Sequence, residues 1–131
     1  MQIWLVRGKI SDKPFFGQYI MYDYKATLIS IYDGDTITVS VDLGFHISQI
    51  MSVRLAKINA PEIRGNSKEL GQNSLVFLQK TLIIGQQITL RTYKDGREKY
   101  GRYLAEVFID DNPISVNDQM VQAGYAIYKW V

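Results

Sequence analysis

Cutting a phosphodiester takes positive charge against an anionic phosphate, a group that accepts a proton from water, and a site for a hard cation. Three short strings of this chain hold side chains of those types. Asp33-Gly34-Asp35-Thr36 offers carboxylate oxygens. Arg54-Leu-Ala-Lys-Ile-Asn-Ala-Pro-Glu62 offers a guanidinium and a carboxylate, and Glu98-Lys-Tyr-Gly-Arg102 offers a second guanidinium. A guanidinium matches phosphate oxygens two at a time, which an ammonium does not. Each residue alone has an ordinary reading: a turn around Gly34, a loop carboxylate at Glu62, a solvated strand arginine at Arg54. The conjunction points to chemistry. Arg54 adds to it, because a charge inside the apolar run Met51-Ser-Val-Arg-Leu55 is costly to bury unless it faces a ligand or partner.

Composition removes the competing chemistries. The 131 residues are enough for one core and too few for two, and 47% hydrophobic with 21% charged is ordinary for a globular domain. With no cysteine there is no disulfide framework, thiolate metal site or cysteine nucleophile. With His46 as the only histidine, neither a histidine triad nor a two-histidine zinc site can be built in one chain, so general-base work falls to a carboxylate. The net charge of +2 does not by itself announce a nucleic-acid partner. Its distribution is more telling: Arg91, Lys94, Arg97, Lys99 and Arg102 stand against only Asp95 and Glu98, although a loop of that kind is more often simply solvated. No stretch approaches the length of a membrane span. The start, Met1-Gln-Ile-Trp-Leu-Val-Arg7, has neither a basic leader nor a small-residue cleavage site, so a cytoplasmic location is expected unless a leader has been removed.

The elements that must position these residues follow from periodicity. Residues 1–24 form an aromatic-rich N-terminal extension; it either adds a strand or lid to the domain that follows, or precedes a true start at Met21. From Lys25 the chain alternates with β-branched residues to Val41, broken by Asp33-Gly-Asp35, and a further strand or strand pair runs from Phe45 to Ile58: a three-stranded meander. Between Ser67 and Ile84 the period changes, with Leu70, Leu75, Leu78 and Leu82 on one predicted helix face, Asn66 or Ser67 as N-cap and Gly85 just past the end. Gly71 weakens the first turn of that helix. Strands are predicted at Gln87–Tyr93 and Tyr103–Ile109, a short helix at Val116–Ala123 stopped by Gly124, and an extended segment from Tyr125. Five strands with a helix between the third and fourth is the order of the OB-fold, an α+β class barrel with two helices here, occupying residues 25–131.

The three strings, in this order, resemble the thermonuclease family, best known from staphylococcal nuclease, over roughly residues 26–130. The resemblance implies a calcium-dependent endonuclease, using Ca2+ or another divalent cation, that acts on DNA and RNA and prefers single strands. It implies that Asp35 binds the metal, with Asp33 shaping the field around it. Arg54 and Arg102 would hold the phosphate, Glu62 would activate or orient the attacking water, and Lys99 and Tyr100 would lie along the bound nucleotide. Asn59 stands where the family usually has a metal-binding aspartate; it keeps a hard oxygen but loses a charge, which implies weaker calcium binding. Ala60 replaces a common threonine at a position implied to coordinate through its main-chain carbonyl, and Glu98 replaces an aspartate. The link from Val39 to Arg54 is longer than the family's, with His46 on it as a surface residue or a substrate contact. The family's last helix has no counterpart before Val131, and Tyr125, Tyr128 and Trp130 are candidates for its nucleotide-holding tyrosines. Loss of the arginines and glutamate is how related barrels become binding modules; the alternative to an enzyme is therefore a weakly active or inactive nucleic-acid-binding module. Arg54, Glu62 and Arg102 favour the enzyme.

Overall fold

The computed structural model describes residues 21–63, 65–97 and 102–129. The expectations for residues 1–20 and for Glu98, Lys99, Tyr100 and Trp130 lie outside that set. Strand β1 (Met21–Asp33) is followed by β2 (Thr36–Asp42), β3 (Ser48–Leu55) and the short β4 (Ile58–Asn59). A 3-10 turn at Gly65–Ser67 then leads into helix α1 (Lys68–Thr81), and β5 (Gln87–Arg97), β6 (Tyr103–Phe108), helix α2 (Val116–Gln122) and β7 (Ile127–Tyr128) complete the order.

Five strands close into a barrel in the order β1-β2-β3-β6-β5, which is the expected OB-like architecture. The meander is antiparallel throughout, with Ile31 opposite Ile37 and Thr36 opposite Arg54. Closure comes from a short parallel contact of β3 with β6, Val53 to Leu55 against Tyr103 to Ala105, and from β1 lying along β5 back to Met21. Alternation puts Ile37, Val39, Val41, Val53, Leu55, Ala105 and Val107 inside, where α1 adds Leu78, its C-cap adds Leu82 and α2 adds Met120. Among the described residues no helix is long and apolar enough to cross a membrane.

Two details differ from the predicted pattern, and both matter for the site. Helix α1 does not bury Leu70, which is 61% exposed; its buried line is Gly71, Ser74 and Leu78. At the site end the helix turns its smallest residues inward, so its backbone, and not a layer of side chains, meets the neighbouring loops. Nor does Ser67 cap the helix through its side chain; its hydroxyl donates to the Glu62 carbonyl at 3.1 Å. The extended segment expected after Tyr125 does form. As β7 it pairs Ile127 with Asn59 and Tyr128 with Ile58, fixing the strip that follows Arg54.

Candidate active site

The corner between β3 and β4 is bent by Lys57, a non-glycine residue at φ 59°. Arg54 holds this corner together from inside. Its Nη1 donates to the carbonyls of Leu55 at 2.7 Å and Ile58 at 2.9 Å, so one guanidinium spans the turn. Nη2 donates to Asn59 Oδ1 at 3.0 Å and lies 3.4 Å from Asp35 Oδ2. Arg54 and Asp35 are each only 7% exposed. Such burial is sustainable because the charges are paired and nearly every polar atom is used. Its Nε–H has no partner among the described residues.

Asn117, wholly buried on α2, supports the same corner from below. Its amide donates to the carbonyls of Ala56 at 2.9 Å and Ala105 at 3.1 Å, and its Oδ1 accepts from the Val107 N–H at 3.0 Å. Lys57, at the tip, reaches Glu106 at 2.6 Å and Asp118 at 3.6 Å. The bend that presents Arg54 is thus set by one buried amide and an ion cluster.

The Asp33-Gly34-Asp35-Thr36 turn packs onto this corner. Asp35 Oδ2 accepts the Ala60 N–H at 2.9 Å, and Asp33 Oδ1 accepts the Asp35 N–H at 3.1 Å. Gly34 is required by proximity, since a Cβ there would stand 2.8 Å from the Cβ atoms of Ala60 and Ser74. Thr36 links the two halves of the site: Arg102 Nη1 donates to its Oγ1 at 2.9 Å, and that hydroxyl donates to Asp35 Oδ1 at 3.3 Å. The structure therefore gathers Arg54, Arg102, Asp35, Asn59 and Ala60 into one connected cluster. Glu62, two residues beyond Ala60, is exposed, and among the described residues its carboxylate makes no hydrogen bond or ion pair. Its backbone rests against Gly71 of α1. Lys99 and Tyr100, expected along the nucleotide, lie outside the described residues. Thr36 and Gly71 were given no part in the site by sequence reasoning. The one available signal was a glycine inside an otherwise helical stretch, which is unfavourable unless something approaches closely.

A hard divalent cation suits the oxygens here on one count in particular. Burial, and then the neighbouring Asp35 carboxylate, push the Asp33 carboxyl up from 3.8 to about 6. Two crowded carboxylates thus carry negative charge that a cation would neutralise. Asn59 offers less, because its Oδ1 is already engaged by Arg54. Among the described residues no three acidic or histidine side chains come together. A consequence can be measured in chelator. Asp33 binds its proton more tightly folded than unfolded, so its contribution to stability is full below about pH 4 and is lost as pH rises through about 6. Unfolding in urea at pH 4, 5, 6 and 7 should show stability falling across that window, and Asp33→Asn should remove this part of the slope. An unchanged slope in the variant would place the charge elsewhere.

The chain matches the family model described as staphylococcal nuclease homologue over residues 52–131, a span that takes in Arg54, Asn59, Ala60, Glu62, Lys99, Tyr100 and Arg102. It is similar to an uncharacterized protein of Bacillus anthracis, 36% identical over 112 residues, covering 82% of this chain and 48% of that one. An uncharacterized protein of Methanocaldococcus jannaschii is 29% identical over 128 residues, covering 79% of this chain and 58% of the relative. Endonuclease YhcR of Bacillus subtilis is 27% identical over 112 residues, 79% of this chain but 9% of the endonuclease. The chain thus spans about half the length of the first two relatives, and a small part of the third.

Proposed function

This chain belongs to the staphylococcal nuclease homologue family, and from that premise we propose that it is a divalent-metal-dependent endonuclease. It cleaves DNA and RNA, single strands by preference, with low sequence specificity. The observation that supports this reading best is the linkage Arg54–Asp35–Thr36–Arg102, which draws two guanidiniums, far apart in sequence, to a single hydroxyl and a single carboxylate. Two guanidiniums so placed can meet a phosphate from two sides. The similarity to an enzyme named as an endonuclease points the same way.

In the proposed reaction Arg102, and Arg54 through the Nε–H that no described residue takes, donate to the non-bridging oxygens of the scissile phosphate, offsetting its charge and the extra charge that develops as a fifth oxygen arrives. Glu62, whose carboxylate is exposed, accepts a proton from the water that attacks phosphorus in line, and the 5′-oxygen departs as it takes a proton from solvent. Asp35, Asp33 and the Ala60 carbonyl, with Asn59 at the margin, are the groups that would hold a calcium ion. A cation bound there would supply further positive charge against the phosphate. Low specificity follows from contacts made to phosphate and not to base edges.

The test is direct. Full-length protein incubated with heat-denatured DNA and calcium is expected to yield short oligonucleotides, and chelator is expected to abolish them. DNA that stays full length in calcium, while its mobility is retarded by the protein, would show a binding module in place of an enzyme.

A further inference from the structure

Helix α1 meets the loop bearing Glu62 with no side chain between them. At Gly71 the helix backbone lies so close to the Glu62–Ile63 peptide that a Cβ would overlap the Glu62 carbonyl and stand 2.7 Å from the Ile63 nitrogen. The atoms it would strike are backbone, so no change of rotamer relieves the overlap. Glycine inside a helix is unfavourable relative to alanine, yet it stands at this contact. Ser67, just before the helix, adds its hydroxyl to the same carbonyl at 3.1 Å. Three residues on, and so on the same face of the helix, Ser74 sets its Cβ against Gly34, between Asp33 and Asp35. One rigid element therefore touches both the peptide of Glu62 and the turn of Asp35.

We propose that Gly71 is a positioning residue for Glu62: helix α1, through Gly71 and Ser67 on one side and Ser74 on the other, fixes the distance of the Glu62 peptide from the Asp33–Asp35 turn. The inference rests on the nuclease reading above and adds to it the reason a weakly tethered, exposed carboxylate would stay where it is useful. A methyl group at position 71 forces the Glu62–Ile63 peptide off the helix by something near an ångström. A catalytic group displaced by that much loses about 10²-fold in rate.

The experiment uses full-length protein, denatured DNA and calcium, with turnover and KM measured separately. Gly71→Ala is expected to lower kcat by about 10²-fold and to leave KM within about two-fold. In a Glu62→Gln background, followed at high enzyme concentration, the same Gly71→Ala change is expected to cost nothing further, because a positioning residue acts only through the group it places. A loosened fold would instead depress both backgrounds alike. Ser67→Ala is expected to lower kcat by a smaller factor, with Ser67→Thr restoring it. Wild-type kcat in Gly71→Ala, or a loss that multiplies with Glu62→Gln, would overturn the proposal. If Gly71→Ala does not fold, wild-type turnover in Ser67→Ala overturns it. A wild-type protein that cleaves nothing strikes down the nuclease reading and this inference together, an outcome readily told from failure of the variants alone.

Discussion

Glu62→Gln is expected to lower cleavage turnover by about 10³-fold while leaving KM for denatured DNA and the thermal midpoint near their wild-type values. The two halves of that expectation have separate grounds. The carboxylate is exposed, so an amide of the same shape orphans no partner among the described residues and opens no cavity. What the amide cannot do is accept the proton of the attacking water. Arg102→Ala is expected to behave similarly in rate, about 10²- to 10³-fold down, with some loss of stability, since its guanidinium meets Thr36 Oγ1. Single-turnover cleavage of a labelled oligonucleotide alongside thermal unfolding separates the two quantities. Near-wild-type turnover in Glu62→Gln would remove Glu62 from the reaction.

How much of this was legible in the sequence depends on what kind of contact was involved. Strand β2 was readable because Thr36, Thr38 and Ser40 alternate with Ile37, Val39 and Val41, and beyond the buried Thr36 burial follows side-chain type. Arg54 was readable because a charge in an apolar strand is an anomaly, and its burial among four acceptors explains it. Helix α1 was found, and Leu78 and Leu82 are buried as its periodicity predicts, but its first turn was misjudged. Leu70 suggested an inward position by hydrophobicity, whereas the helix turns Gly71 and Ser74 inward because backbone must touch backbone there. Periodicity counts apolar side chains and is blind to a contact whose point is the absence of one. Asn117 was invisible for the opposite reason: a polar residue on a short helix reads as solvated until the Ala56, Ala105 and Val107 backbone groups it satisfies are known.

Arg54→Ala, by contrast with Glu62→Gln, is expected to damage both the fold and the rate. Removing the guanidinium leaves the carbonyls of Leu55 and Ile58, the Asn59 amide oxygen and the Asp35 carboxylate without a shared donor at a corner where Asp35 is only 7% exposed. Breaking a buried pair by deleting one member costs about 3–5 kcal/mol, and the loss of a donor to the transition state adds about 10³-fold in turnover. Lysine is no remedy: it keeps the charge, but a single ammonium cannot span acceptors that the planar fork reaches from two nitrogens. Arg54→Lys should therefore retain more stability than Arg54→Ala and nearly as little activity. The decisive comparison is Asp35→Asn placed on top of Arg54→Ala. If the stability loss comes from an orphaned carboxylate, neutralising Asp35 in the Arg54→Ala background should recover part of it, so that urea unfolding shows the double variant more stable than the sum of the single losses. Simple additivity would mean that Arg54 and Asp35 are not coupled. Arg54 would then be a bracket for the Lys57 corner alone, and the case for a phosphate site built across both residues would fall.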